Sequence, residues 1–413
     1  MGAFEEDFER YVKKGRAILK NLSIVQQNIP VRRFKGREIT SRLLVNLDKV
    51  YKDDESGVLP VVMERDTMNR RLGYTLEEMN LLQEYYNSSP RKAETESAVT
   101  LAFTNQKGGC WKSTTALHSA CDYANLGYRV LVLDLDPQAS STEAMGFMPN
   151  VEISVEDTLA PFLELDDEFP IDNVRSVVRK TYNCNVDIIP SCLGLGYTDF
   201  TLTQDMARAS SPKDIIEVFT RLRAIIDELK MDYDIIICDG TPSLGLLPIN
   251  IVVASDIVIT PTPTEITDFG ATIAFCDLIL TEFKTIKSHI GDQYAEGLFP
   301  TFMFLPTRYS SSSTLTVGSE EVLHYIKNTF EEACMKSYVR KHDSVISNLA
   351  IIRRTIFDIP SGVINTLKGP INIKSAARKK AMTNYEEVNR EILENTIKPF
   401  WPSKESELLT EAS

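Results

Sequence analysis

The segment from Val99 to Gly127 constrains the fold of this chain more than any other. It holds an apolar run that ends at Phe103, the glycine-bearing loop NQKGGCWKSTT, and then the helix-like sequence ALHSACDYANLG. A loop between a strand and a helix directs its backbone N–H groups and the positive end of the helix dipole toward one point. The segment therefore predicts an α/β domain whose loop binds the phosphates of a nucleotide.

The loop departs from the strict phosphate-loop pattern G-x-x-x-x-G-K-[ST], because Gln106 and Trp111 occupy the positions of its two glycines. What remains is K-G-G-x-x-K-S, which begins with Lys107. Lys112 is placed to reach the β and γ phosphates, and the hydroxyl of Ser113 is placed to ligate Mg²⁺. The alternative is a lysine-rich turn that binds nothing, but two lysines bracketing one loop favour the nucleotide.

Two later apolar runs end in carboxylates. YRVLVLDLDPQASST ends in Asp134 and Asp136, and DYDIIICDGTPSLG ends in Asp239. The carboxyl ends of parallel strands face the crevice in which open α/β sheets bind ligands. We therefore expect three carboxylates and two lysines at one site. The predicted fold is a mostly parallel, doubly wound α/β sheet with a deviant phosphate-loop NTPase core.

From about Val99 to Leu393 these motifs, in this order and at this spacing, resemble those of the ParA family of partition ATPases. The resemblance implies a dimer that hydrolyses ATP slowly, with ATP and Mg²⁺ as cofactors. Lys107 is similar to the lysine that crosses the dimer interface to the partner's nucleotide, and Lys112 to the phosphate lysine within the subunit. Asp136 is similar to the aspartate that positions the attacking water. These three are the implied catalytic residues.

The same resemblance implies the rest of the nucleotide site. Ser113 would ligate Mg²⁺ directly, Asp134 and Asp239 would hold it through water, and Thr114 would contact the α phosphate. Pro306, Thr307 and Arg308, at the end of TFMFLPTR, would border the adenine, although ordinary loop exposure explains Thr307 and Arg308 equally well. The implied nucleotide-binding residues are Lys107, Gly108, Gly109, Cys110, Trp111, Lys112, Ser113, Thr114, Pro306, Thr307 and Arg308.

Trp111 is the main departure from the family, which usually has a small residue at this position. Its ring either packs over the dimer seam without a specific role or contacts the nucleotide or the opposite subunit, as aromatic rings favour interfaces. Under the second interpretation, Trp111→Gly changes dimer affinity more than it changes nucleotide affinity.

The first hundred residues resemble the extension of larger ParA members from plasmids and secondary chromosomes. We expect a dimerisation or docking helix over 1–25, an all-α or winged helix-turn-helix domain over 26–90, a linker over 91–98, the ATPase domain over 99–400 and a flexible tail over 401–413. Thr75 and Glu78 predict a capping box at one helix start. The candidate operator-DNA contacts are Arg32, Arg33, Lys35, Arg37, Arg70 and Arg71. A solvated helical arm is the alternative.

The net charge of −13 argues against nucleic-acid binding, but the charge is uneven. Residues 1–99 hold 17 Lys and Arg against 16 Asp and Glu, and a second basic group lies near the end of the chain. The resemblance implies that this second group binds nonspecific nucleoid DNA through phosphate contacts, which are salt-dependent. Its members are Arg353, Arg354, Lys374, Arg378, Lys379 and Lys380. A solvated helix face is the alternative.

Several classes of protein are disfavoured. There is no apolar stretch long enough to span a membrane and no signal-peptide core, so we expect a cytoplasmic, nucleoid-associated protein. Seven cysteines without a C-x-x-C pair support neither a disulfide framework nor a zinc site. A MinD-like membrane ATPase would end in an amphipathic helix, whereas this chain ends in the acidic ESELLTEAS. A tyrosine kinase with this loop would end in a tyrosine-rich tail.

The expected function is therefore ATP-dependent DNA partition, stimulated by a ParB-like centromere-binding protein and combined with repression of its own operon. The dimer, or ATP-driven filaments on DNA, would be the active assembly. The alternative is a DNA-binding repressor whose nucleotide site senses ATP without hydrolysing it. Retention of both lysines and of Asp136 and Asp239 argues against that alternative.

Overall fold

The computed structural model describes residues 2–23, 29–165, 168–243, 245–291, 299–311, 318–360, 362–366 and 369–403. The strands are β1 Val99–Phe103, β2 Val130–Leu135, β3 Arg179–Lys180, β4 Val186–Ile189, β5 Ile235–Gly240, β6 Ile257–Pro263, β7 Thr301–Thr307, β8 Gly362–Thr366 and β9 Gly369–Ile373. The helices are α1 Gly2–Ser23, α2 Arg37–Leu43, α3 Leu47–Ser56, α4 Leu76–Tyr85, α5 Lys112–Leu126, α6 Ser140–Ala144, α7 Ala160–Leu163, α8 Thr198–Arg208, α9 Pro212–Leu229, α10 Leu246–Ala254, α11 Ile266–Ile290, α12 Ser319–Phe330, α13 Asp343–Ile352 and α14 Ser375–Ile392.

The main sheet has seven strands in the order β3-β4-β2-β5-β1-β6-β7. All neighbours pair in parallel except β3, which runs antiparallel to β4 at the edge. The predicted mostly parallel sheet with a phosphate-loop core is confirmed, and so are its strands at 99–103, 130–135 and 235–240. Because β2, β5 and β1 are neighbours, their carboxyl ends lie together at one edge of the sheet.

Helices cover both faces of this sheet. On β1, Val99, Leu101 and Phe103 point into a core that α5, α13 and α14 complete, whereas Ala102 points into a second core formed with α9, α10 and α11. The strands are therefore apolar on both faces, which is why they appear in the sequence as continuous apolar runs.

The N-terminal helical region, which we define as residues 29–86, has a small core of its own around Phe34, Tyr74 and Met79. Helices α2 and α3 are separated by a three-residue turn, and a hairpin pairs Arg65 with Arg71. The predicted capping box is confirmed, because Thr75 and Glu78 exchange hydrogen bonds at the start of α4.

This helical region contacts the C-terminal end of α5, which is remote from the phosphate loop. Arg42 Nε donates to the Asn125 carbonyl at 2.6 Å, and Gln83 Nε2 donates to the Leu126 carbonyl at 2.9 Å. These bonds satisfy carbonyls that a helix C-terminus leaves without partners. Contact is close, because a β carbon at Gly127 would lie 2.5 Å from Oε1 of Gln83.

The C-terminal part of the chain completes the first core. Helix α14 packs on α5, and Trp401 is fully buried, with its Nε1 donating to the Ser97 carbonyl at 3.0 Å. Ser403 also bonds to Glu96. The folded chain therefore extends past the predicted boundary at residue 400, because the indole fills a space beside β1. Residues 404–413 of the predicted tail lie outside the described residues.

Candidate nucleotide-binding site

The phosphate loop takes the shape that its glycines allow, with one exception. Gly109 has φ 73°, and Trp111, directly before α5, has φ 72°. Left-handed backbone is unfavourable for a residue with a side chain. The Trp111 ring is partly buried against the first core of its own subunit. Whether it also contacts a nucleotide or a second subunit stays a prediction.

Lys112 is buried at the first turn of α5, and its Nζ donates to the Lys107 carbonyl at 2.9 Å. The loop therefore curls around the lysine amine. Thr307, at the end of β7, is also buried, and its hydroxyl donates to the Cys110 carbonyl at 3.2 Å. The structure thus brings the predicted phosphate loop and the predicted adenine loop together.

Asp134 and Asp239 are register partners on the neighbouring strands β2 and β5, and both are buried. Burial and the neighbouring carboxylate of Asp239 raise the pKa of Asp134 above its ordinary value. Burial also raises the pKa of Asp239, although the hydroxyls of Ser141 and Ser113 act in the opposite direction. Burial therefore makes it costly for both carboxyls to be ionised at once, and a cation beside them would favour the ionised form.

The residues present fit a hard cation such as Mg²⁺. Oδ1 of Asp239 is buried and, within the described residues, accepts no hydrogen bond. Carboxylate and hydroxyl oxygens are the donors that Mg²⁺ prefers, and Mg²⁺ usually keeps several waters. Within the same described ranges, no group of three or more His, Cys, Asp or Glu side chains is arranged to hold a metal. Ser113, with Asp134 and Asp239 acting through water, remains the set that would hold it.

Asp136 directly follows the last residue of β2. Its backbone N–H donates to Asp134 at 3.3 Å, and its own carboxylate accepts from the backbone N–H of Gln138 at 2.9 Å. Ser191 fixes its carbonyl through a bond of 2.8 Å. The backbone around the carboxylate predicted to position the attacking water is therefore tightly held.

Lys107 is bound within its own subunit in this state. Its Nζ lies 3.0 Å from Oδ1 of Asp268, and its side chain is 41% exposed. Arg308 reaches the same carboxylate at 3.6 Å and also pairs with Glu265 at 3.0 Å. Pro306 is buried, and its carbonyl accepts the Val339 N–H. Of the three predicted adenine-loop residues, Arg308 alone is partly exposed.

The predicted operator contacts divide into two groups. Lys35, Arg37 and Arg70 are exposed, although Arg70 pairs with Asp66 at 2.7 Å. Arg32, Arg33 and Arg71 instead make contacts within the subunit. Arg32 donates to the Phe357 carbonyl and pairs with Glu38, and Arg33 pairs with Glu64. Arg71 stacks on Tyr51 and pairs with Glu55. The last three therefore do not form a free basic surface in this state.

The C-terminal candidates divide in the same way. Lys374, Lys379 and Lys380 are exposed along the start of α14. Arg378 turns inward, where burial and the charge of Arg32 lower its pKa to about 10. Arg354 stacks on Tyr182 at 3.7 Å, and Arg353 pairs with Glu143 at 2.6 Å. Arg353, Arg354 and Arg378 therefore do not lie open to solvent beside the three lysines in this arrangement, and DNA binding by the six residues stays a prediction.

Sequence reasoning missed the hydroxyls that hold the carboxylates. Ser141 donates to Asp239 at 2.6 Å, and Thr142 donates to Asp134 at 2.7 Å through both its backbone N–H and its hydroxyl. The signal was the run of small hydroxyl residues directly after D-x-D-P-Q. It also missed Asp268, whose pairing with Lys107 depends on a fold contact between segments far apart in the chain.

Known proteins share this architecture. A protein-family profile described as an AAA domain matches residues 98–291. The chain is 30% identical over 254 residues to the virulence plasmid ParA family protein pGP5-D of Chlamydia psittaci, covering 60% of this chain and 83% of that protein. This chain belongs to the ParA family of partition ATPases.

The ParA likeness extends over the N-terminal helical region. The chain is 29% identical over 410 residues to protein SopA of Escherichia coli (strain K12), covering 96% of this chain and 98% of SopA. A solved structure of a partition protein, 18% identical, superposes with a TM-score of 0.60 over 94% of this ParA chain and 98% of that one, which shows a shared fold. Among the described residues, no helix is long and apolar enough to cross a bilayer.

Proposed function

We propose that this ParA protein hydrolyses ATP to ADP and phosphate and uses the cycle to segregate DNA. One observation carries the proposal: Lys112 and the carboxylates of Asp134, Asp136 and Asp239 converge at the carboxyl edge of the sheet, beside a loop of backbone N–H groups. Phosphoryl transfer needs mostly positioning and charge stabilisation, and this arrangement supplies both.

Each residue has a distinct task in this proposal. Lys112 and the loop amides bind and orient the phosphates, and Thr114 contacts the α phosphate. Ser113, Asp134 and Asp239 hold Mg²⁺, which when bound neutralises phosphate charge. Asp136, whose carboxylate accepts from the Gln138 N–H and whose carbonyl accepts from Ser191, orients the attacking water. The phosphate loop thus takes no part in covalent chemistry itself.

The active assembly in the proposal is a homodimer, with filaments on DNA as the alternative assembly. Lys107 is partly exposed and bound to Asp268 by one ion pair, so its side chain is available for exchange to another acceptor. The resemblance to the family supports a role for it at the partner's nucleotide. Helix α1, whose Phe8, Tyr11 and Ile18 are more than half exposed, supports a second contact between subunits.

Two DNA contacts follow from the exposed basic residues. Lys374, Lys379 and Lys380 support salt-dependent binding to nonspecific nucleoid DNA, and Lys35, Arg37 and Arg70 support operator binding and autorepression. A ParB-like centromere-binding partner would stimulate hydrolysis, and the protein would act in the cytoplasm on the nucleoid. The likeness to SopA over the full helical region supports this assignment.

The test is ATP hydrolysis by the wild type and by Lys112→Gln, with and without nonspecific DNA over a salt series. DNA-stimulated turnover that Lys112→Gln abolishes, together with ATP-dependent binding that weakens as salt rises, is the expected result. Salt-sensitive DNA binding without turnover, even with the cognate centromere-binding protein present, would instead identify a repressor that senses ATP without hydrolysing it.

A further inference from the structure

Helix α6 connects the two buried carboxylates to a basic residue far along the chain. It starts directly after the D-x-D-P-Q segment, and its Ser141 and Thr142 hydrogen-bond to Asp239 and Asp134. The next residue, Glu143, pairs with Arg353 at 2.6 Å. Three consecutive residues therefore join the nucleotide site to the end of α13.

Arg353 is well enclosed by this contact. Its guanidinium also lies 2.9 Å from the sulfur of Met148, and its side chain is only 15% exposed, whereas that of Glu143 is 53% exposed. Arg353 closes α13 with a left-handed backbone at φ 51°, which fixes where its side chain begins. Within the described residues, it is the one C-terminal basic candidate paired with a carboxylate.

We propose that Glu143 masks Arg353 from DNA phosphates in the nucleotide-free protein, and that α6 makes this masking depend on the state of the nucleotide site. The inference rests on the proposed function, because it concerns the DNA contact of that ATPase. The Glu143 carboxylate occupies the position at Arg353 that a DNA phosphate would take. Arg353 becomes a DNA contact when Glu143 moves away.

The coupling follows from the bonds that hold α6. Ser141 and Thr142 donate to the same two carboxylates that face the phosphates and the cation in the proposed site. Filling that site changes the charge that these carboxylates face, so the hydroxyl bonds to them change as well. Because α6 is only five residues long and Glu143 directly follows Thr142, we infer that a movement of Ser141 and Thr142 shifts Glu143 as well.

The energetics allow the exchange. When the pair separates, water solvates the Glu143 carboxylate, which is already 53% exposed, and a phosphate takes its place at Arg353, whose side chain is 15% exposed. A DNA backbone offers Arg353 the same kind of charge-assisted hydrogen bond at a phosphate oxygen. Masking by Glu143 therefore lowers the affinity for DNA, and Glu143 can release Arg353 without a large cost in free energy.

The test is the salt dependence of binding to a nonspecific DNA duplex without nucleotide, measured for the wild type and Glu143→Gln. The variant keeps the shape of the side chain but loses its charge. We expect tighter binding and a plot of log K against log salt that is steeper by about one unit, as one added phosphate contact requires. Adding Arg353→Gln to Glu143→Gln should return the slope to the wild-type value.

Glu217→Gln serves as the control for net charge, because Glu217 is exposed on α9, which packs on the other face of the sheet. If it raises affinity as much as Glu143→Gln does, the masking inference is overturned. An unchanged slope in Glu143→Gln overturns it too, provided that the wild type with ATP binds the duplex. If the wild type with ATP does not bind, the proposed function itself fails.

Discussion

The amine of Lys107 lies 3.0 Å from the carboxylate of Asp268, so the lysine expected to serve a partner's nucleotide is held by its own subunit. Asp268→Asn removes that restraint. We predict that ATP-dependent dimerisation of the variant, measured by sedimentation velocity, occurs at about fivefold lower protein concentration, since a partly exposed ion pair contributes up to about 1 kcal/mol.

Glu265→Gln is the matched control for this prediction, because it loses an ion pair with Arg308 but leaves Lys107 and Asp268 together. Its dimerisation should match that of the wild type. A lower dimerisation concentration in both variants would attribute the effect to Arg308 and not to Lys107.

Trp111 combines a left-handed backbone with a partly buried ring, and two substitutions separate these contributions. Trp111→Gly and Trp111→Ala both remove the ring, but only alanine bears the left-handed strain. We predict that the glycine variant is more stable than the alanine variant by about 1 kcal/mol in urea unfolding of the nucleotide-free protein. Equal stabilities would show that residue 111 does not retain its left-handed backbone without the ring.

Gly127 tests how firmly the helical region holds α5. Gly127→Ala places a β carbon 2.5 Å from Oε1 of Gln83 at φ 118°. We expect it to lower the free energy of unfolding by about 2 kcal/mol, the sum of backbone strain and the loss of the Gln83 bond to Leu126. Gly57→Ala is the control, because it meets the strain at φ 71° but no neighbouring atom. A cost no greater than that of Gly57→Ala would contradict tight contact.

His118 makes stability depend on pH. It is fully buried in α5, where burial lowers its pKa to about 4. Because the Ile356 N–H donates to Nε2, the proton resides on Nδ1 and bonds the Thr114 carbonyl at 2.7 Å. Below about pH 6.5 the imidazole takes up a proton in the unfolded chain but stays neutral in the native protein. The stability of the native protein therefore falls as the pH drops from about 6.5 to 4.

We expect His118 to account for a loss of about 2 kcal/mol between pH 7 and pH 5, measured by urea unfolding. His118→Asn should reduce the difference between the two pH values by that amount. An identical pH dependence in both proteins would show that the imidazole is protonated in the folded state.

The sequence predicted what depends on local pattern. The apolar runs located β1, β2 and β5, and Asp134 and Asp239 were placed at one edge because parallel strands end together. Composition alone did not reveal that Arg32, Arg353 and Arg378 turn inward, since their partners lie hundreds of positions away or on another layer. Basic residues in a run look alike in sequence, and only the packing decides which of them reach solvent.

The burial of Trp401 bears on the order in which the two cores can form during synthesis. The indole closes the core beside β1, roughly three hundred residues upstream of it, so the ATPase core stays open until residue 401 has left the ribosome. The N-terminal helical region has a separate core around Phe34 and Tyr74, although its Arg32 also bonds to the Phe357 carbonyl further along the chain. A growing chain can therefore complete the small N-terminal core early, whereas the core of the sheet keeps apolar surface exposed until its last side chain arrives.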